Sequence, residues 1–128
     1  MQKSILVIDD EPAIRLSFEL ALEESSYEVH TADSGEKGLE MFTSGSYDLI
    51  FLDLKMPGLN GVETLQKIRE MDEQVAVYIV TAFYEDFFHE LDGLAQKGVS
   101  FEIMQKPVDS THINLVCQGI LHGPVSCD

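Results

Sequence analysis

The chain has 128 residues, 45% of them hydrophobic, with a formal net charge of −15. That is the size of one compact domain, able to bury a core without disulfides or a structural metal. The apolar share excludes a disordered acidic tail, no apolar run approaches the ~20 residues of a membrane span, and the negative charge disfavours nucleic-acid binding by the domain itself.

In chain order, the first element is the continuously apolar run 5–8, which reads as a buried strand. Met1-Gln2-Lys3 leads straight into it without a signal-peptide layout, so a cytoplasmic location is expected. Pro12 suits a first helical turn, and Ile14, Phe18, Ala21 and Leu22 then recur at helical spacing. Residues 27–32 give a weaker, more polar strand of edge character. Asp33 with Glu36 has the spacing of a capping box and opens a helix running to about Thr43. A second fully apolar strand covers 49–52, and after Asn60-Gly61 the residues Val62, Leu65 and Ile68 mark a third helix. Residues 75–80 and, less purely, 101–104 read as further buried strands. Tyr84, Phe87, Phe88, Leu91, Leu94 and Ala95 mark a fourth helix stopped by Gly98. Ile113, Val116, Cys117, Ile120 and Leu121 mark a fifth, ended by Gly123-Pro124.

A strand-helix alternation repeated five times calls for a parallel sheet with helices on both faces and right-handed crossovers, a doubly wound α/β domain. It is expected to span residues 1–122, with 123–128 a flexible tail or the start of a connection. Cys117 and Cys127 fit neither a disulfide framework nor a zinc site.

In such a sheet the functional crevice lies beyond the carboxyl ends of the strands. Asp9 and Asp10 end the first strand, Asp53 the third and Thr81 the fourth, and Lys106-Pro107 follows the fifth. Taken singly, the acids before Pro12 read as helix caps, Asp53 as a turn acid, Thr81 as a cap and Lys106-Pro107 as a strand stop. Taken together they gather three carboxylates at one rim. Like charges at ~4 Å cost about 1 kcal/mol in water and several times more near a protein surface, so a cation belongs among them. Hard carboxylate oxygens suit magnesium. A carboxylate nucleophile, a divalent metal, a lysine and a hydroxyl are the parts that phosphoryl transfer requires.

Nearly the whole chain, from about residue 3 to 121, resembles the receiver domains of bacterial response regulators, the chemotaxis-Y-like superfamily of two-component signal transduction. The resemblance is carried by Ile5-Leu6-Val7-Ile8-Asp9-Asp10-Glu11, by Asp48-Leu49-Ile50-Phe51-Leu52-Asp53-Leu54-Lys55-Met56-Pro57-Gly58 with Asn60-Gly61, by Val80-Thr81-Ala82 and by Lys106-Pro107. It implies a flavodoxin-like five-stranded sheet in the order 2-1-3-4-5. It implies that Asp53 takes a phosphoryl group from a sensor histidine kinase or phosphotransfer protein. Magnesium would be held by Asp10, Asp53 and the Lys55 backbone carbonyl, with Asp9 acting through water. Thr81 would move toward the phosphoryl group, Lys106 would pair with Asp53 and then with a phosphoryl oxygen, and Pro107 would follow a cis peptide bond. The fourth helix, fifth strand and fifth helix would form the output face, available to an effector or a second copy.

Two features depart from the family. The aromatic switch position three residues before the lysine is Ile103, for which Phe83 or Phe101 would have to substitute, Phe101 reading rather as core. The stretch from Thr81 to Lys106 is also longer than usual and rich in aromatics, which serve either the output face or a core beneath a longer helix. A degenerate receiver that binds partners without phosphorylation is the first alternative, opposed by the full acid, hydroxyl and lysine set. A magnesium-dependent phosphohydrolase is the second, opposed by Lys55 where a second aspartate would be needed as general acid. A nucleotide-binding flavodoxin-like domain lacks the Gly-rich loop after its first strand.

Overall fold

Strands that are apolar at every position need cover on both faces, and the chain supplies it. The computed structural model describes residues 2–122; the expected tail, with Cys127 and the Gly123-Pro124 stop, lies outside the described residues. Ten elements alternate: β1 (Ser4–Ile8), α1 (Pro12–Ala21), β2 (Glu28–Ala32), α2 (Gly35–Ser44), β3 (Leu49–Leu52), α3 (Gly61–Met71), β4 (Ala76–Thr81), α4 (Phe88–Gln96), β5 (Glu102–Gln105) and α5 (Ser110–Leu121). The strands form one parallel sheet in the order β2-β1-β3-β4-β5.

Period-two alternation divides each central strand between two cores. Leu6, Ile8, Ile50, Leu52, Val77 and Ile79 face a cluster completed by Val62, Leu65 and Ile68 of α3 and Leu91 and Leu94 of α4. Ile5, Val7, Leu49, Phe51 and Val80 face the other way, onto Phe18 and Leu22 with Ile113, Cys117 and Leu121 of α5. Burial pushes the Cys117 thiol up to about 12, which leaves it a packing group.

Several local expectations are corrected. Asp33 and Glu36 do not form a capping box: Ser34 is the N-cap, its side chain accepting from the Lys37 amide at 3.0 Å. Glu36 instead accepts from the Leu59 amide at 3.1 Å, tying α2 to the loop after β3. The capping box lies at α3, where Asn60 and Glu63 exchange side-chain and backbone bonds. The fourth helix is not continuous from Tyr84. A 3₁₀ turn, Tyr84–Phe87, precedes α4, because no side chain caps an α-helical start there. Tyr84 and Phe87 pack against the core, as the core reading expects, while Phe88 is exposed. Ile120 is exposed rather than part of the α5 core face.

One glycine is required by a close approach. A Cβ on Gly61 would collide with the Asp53 carbonyl oxygen and lie 2.7 Å from the Leu54 Cα, backbone that has no freedom to yield. Gly61→Ala is therefore expected to cost about 1–3 kcal/mol in urea unfolding. Gly93→Ala in α4, where an added Cβ meets nothing within 4 Å, is expected to be neutral or to gain up to about 1 kcal/mol.

Candidate functional site

Parallel register carries the acids to one rim. Val7 pairs with Phe51 and Ile8 with Leu52, so Asp9 and Asp53 are the next residues beyond the ends of two adjacent strands. The ladder continues into them: the Asp9 amide donates to Ala32 O at 3.0 Å, and the Asp53 amide to Ile8 O at 2.9 Å. Thr81 pairs with Gln105, and the Lys106 amide donates to Thr81 O at 2.9 Å, which brings the lysine round to the same rim. The Lys106–Pro107 peptide is cis.

Carboxylate oxygens of Asp9, Asp10, Glu11 and Asp53 all lie within 4.8 Å of one another. Asp9 and Asp53 are only 2% and 3% exposed, so solvent does little to screen them. Among the described residues, the ammonium in contact with the cluster is that of Lys106, 3.0 Å from Asp9 Oδ2, 3.0 Å from Glu11 Oε1 and 3.5 Å from Asp53 Oδ1. Its tightest partners are thus Asp9 and Glu11, with Asp53 at the limit of a hydrogen bond. Glu11 was not singled out from sequence; its proximity to Asp10 was the available signal, but the direction of its side chain depends on the turn into α1. That turn is fixed by Asp9, whose Oδ1 accepts from the Glu11 amide at 2.9 Å and whose carbonyl accepts from Arg15 Nη1 at 2.8 Å.

With Arg15 bonded to backbone, the Lys106 ammonium alone pairs within the four-carboxylate cluster among the described residues, which leaves a negative surplus. Burial raises the Asp53 carboxyl to about 7, the Asp9 charge adds to the rise, and Lys106 opposes it. Asp9 is raised as well, again by burial first, against the hydrogen bonds it receives from the Glu11 amide and Lys106. Burial pulls Lys106 down, but its bonds to Glu11 and Asp9 and the charges of Asp9 and Asp53 outweigh that and hold it above the ordinary lysine value. A compact set of hard oxygen donors with uncompensated charge fits a small divalent cation such as magnesium.

The remaining predicted residues divide. Thr81 is fully buried, and its Oγ1 accepts from the Phe83 amide at 2.8 Å. Lys55 is exposed, and its ammonium lies 4.4 Å from the centroid of the Phe83 ring. Phe83 borders the acidic rim, sharing a hollow with Asp10, Glu11 and Lys55. Phe101 and Ile103 are half-buried against the α3–α4 core cluster, and Phe101 lines the hollow at the opposite end of β4.

A family model described as the response regulator receiver domain matches residues 5–117. The chain belongs to that family. The receiver is 36% identical over 121 residues to the alkaline phosphatase synthesis transcriptional regulatory protein PhoP of Bacillus subtilis, covering 94% of this chain and 49% of that protein. It is 34% identical over 85 residues to the sporulation initiation phosphotransferase F of the same organism, covering 66% of this chain and 68% of that protein. Other relatives are longer regulators, of which the matched part spans about a third. Among solved structures, a response regulator receiver domain protein from Clostridium thermocellum superimposes with a TM-score of 0.78 at 35% identity, covering 94% of each chain. The Vibrio cholerae chemotaxis protein CheY4 shares the fold, with a TM-score of 0.80 at 22% identity over 94% of this chain and 99% of that one. Among the described residues, no helix of the receiver is long and apolar enough to cross a membrane.

The sign of the charge imbalance is testable. With its folded-state value near 7 against an ordinary 3.8, Asp53 holds a proton in the folded receiver over a range in which the unfolded chain releases it. Stability from this group is therefore full below the ordinary value and lost as pH rises through about 7. Without added metal at about pH 8, Asp53→Asn is expected to be more stable than the natural chain by on the order of 2–4 kcal/mol, the gap closing with acidification. Lys106→Met, which strips the cluster of its counter-charge, is expected to lose about 3 kcal/mol under the same conditions. Urea unfolding measures both, and a destabilised Asp53→Asn at pH 8 would contradict the assignment of charge.

Proposed function

We propose that this receiver accepts a phosphoryl group on Asp53 from a sensor histidine kinase or phosphotransfer protein, in a magnesium-dependent reaction in the cytoplasm. The observation that supports this reading is the four-carboxylate cluster with Lys106 bonded into it. Asp10 and Asp53 would hold the magnesium, with the Lys55 carbonyl beside them, Asp9 through water and Glu11 within reach. Bound there, the cation would supply charge neutralisation for the transferring phosphoryl oxygens.

The chain's own residues do the rest. An Asp53 Oδ attacks phosphorus as the bond to the donor's histidine nitrogen breaks, which conserves the phosphoryl group and returns the electron pair to the imidazole. Asp53 must be ionised to attack, so the counter-charges at the rim also set the fraction of nucleophile present. Lys106 exchanges a carboxylate for a phosphoryl oxygen, and Thr81 offers its hydroxyl to another. Phosphorylation adds about −1.5 to −2 charges, which bias the domain between two states only through contacts that differ between them. The face made by α4, β5 and α5 is the proposed output surface, toward an effector or a second copy, and residues 1–122 are proposed as the receiver domain.

Incubation with acetyl phosphate and magnesium, read by intact mass, is expected to add one phosphoryl group to the natural chain and none to Asp53→Asn. Chelation of magnesium is expected to suppress the addition. Labelling of Asp53→Asn at the natural rate would refute the acceptor assignment, and steady turnover of a phosphomonoester, lost in Asp53→Ala, would favour the phosphohydrolase instead.

A further inference from the structure

The position at which the family resemblance implies a reporting ring carries Ile103, an aliphatic side chain half-buried against the core cluster. A different ring borders the acidic rim. Phe83 belongs to neither core cluster and is 39% exposed. Polar contacts fix it where packing does not: its amide donates to Thr81 Oγ1 at 2.8 Å, and the Lys55 ammonium lies 4.4 Å from its ring centroid. It also stands between two hollows. One is shared with Asp10, Glu11, Lys55, Met56 and Pro57, the other with Thr81, Tyr84, Gln105 and Lys106. Phe83 therefore borders two hollows, held on the side of the rim by its amide bond to Thr81 and by the Lys55 ammonium over its ring.

We propose that Phe83 is the switch residue of this receiver, latched by Thr81 and Lys55 before phosphorylation and released by it. The inference rests on Asp53 being the phosphoacceptor. Both latch partners are cationic or hydrogen-bonding groups at the mouth of that site, and both gain a stronger partner when a dianion arrives there. An ammonium over an exposed ring is held weakly compared with its attraction to a phosphoryl group in a poorly solvated rim. A Thr81 hydroxyl that swings its Oγ toward a phosphoryl oxygen leaves the Phe83 amide without its acceptor. The two contacts thus weaken through one event.

Movement of Phe83 is transmitted by its place in the chain. Its carbonyl accepts from the Asp86 amide at 3.1 Å, so Phe83 opens the 3₁₀ turn Tyr84–Phe87, and that turn leads directly into α4. A shift of the ring and its backbone repositions the start of α4, where the exposed Phe88 stacks edge-on against Tyr84 and His89. The aromatic-rich stretch after Thr81 acquires a role in this way: it is the lever through which a switch without an aromatic at position 103 reaches the output face.

The chain contains no tryptophan, so Phe83→Trp introduces a single fluorescent reporter at an exposed position that still offers a ring to Lys55. Acetyl phosphate with magnesium is expected to change the emission of F83W in proportion to the label counted by intact mass in the same samples. Adding Lys55→Met to F83W is expected to move the spectrum of the unphosphorylated protein toward that of the labelled one. A parallel measurement uses the unsubstituted ring: fluorine NMR of the chain made with fluorinated phenylalanine, the Phe83 resonance being identified by its loss in Phe83→Leu. That resonance is expected to shift on labelling, while those of Phe18, on the buried face of α1, and Phe51, on β3 packed against it, stay in place. Label present with the Phe83 resonance and the F83W spectrum unchanged overturns the latch and leaves the acceptor role of Asp53 intact. Absence of label on the natural chain removes both.

Discussion

Everything at the carboxyl rim of this receiver follows from the parallel register of β1 and β3. Adjacent parallel strands that end at the same level must present their next residues side by side, and here those residues are Asp9 and Asp53. Two further acids follow Asp9 in the same turn, and the Lys106 ammonium meets the cluster from the end of β5, two strands beyond β3. The geometry is set by backbone ladders that side-chain repulsion cannot relax, since each ladder bond belongs to a buried strand. Burial first, with the mutual repulsion added to it at Asp53, raises the carboxyls of Asp53 and Asp9 above the ordinary carboxylate value.

The surrounding structure is built to hold that arrangement. Two apolar clusters, one on each face of the sheet, bury nearly every residue of the central strands. The loop after β3, which carries Lys55, is pinned at several points. Gly61 donates to the Leu54 carbonyl at 2.8 Å, Glu36 binds the Leu59 amide, and the Asn60 capping box fixes the start of α3. The loop after β4 is different in kind. Its first aromatic is held by the buried Thr81 hydroxyl and by the Lys55 ammonium, and the loop passes into a 3₁₀ turn rather than a capped helix. One loop beside the rim is thus pinned by several bonds and the other is held by fewer, an asymmetry that the proposed phosphorylation switch would use.

The sequence by itself determined the strand and helix order, because continuous apolar runs and helical spacing are local properties that the core then enforces; each element lies within a residue or two of its expected place, apart from the start of α4. It also nominated Asp9, Asp10, Asp53, Thr81 and Lys106 as rim residues, since strand ends and the crevice rule can be read without coordinates. Which side chain caps α2 was not legible, because Asp33 and Ser34 both carry capping groups and only the backbone angle at Ser34 chooses between them. Tertiary structure alone decided that Lys106 bonds more closely to Asp9 and Glu11 than to Asp53, and that Lys55 reaches the ring of Phe83. These are contacts between loops from different strands, and their partners are selected by side-chain direction at the rim. No one-dimensional pattern encodes that direction, because it arises only when the sheet has closed and the loops have packed against one another.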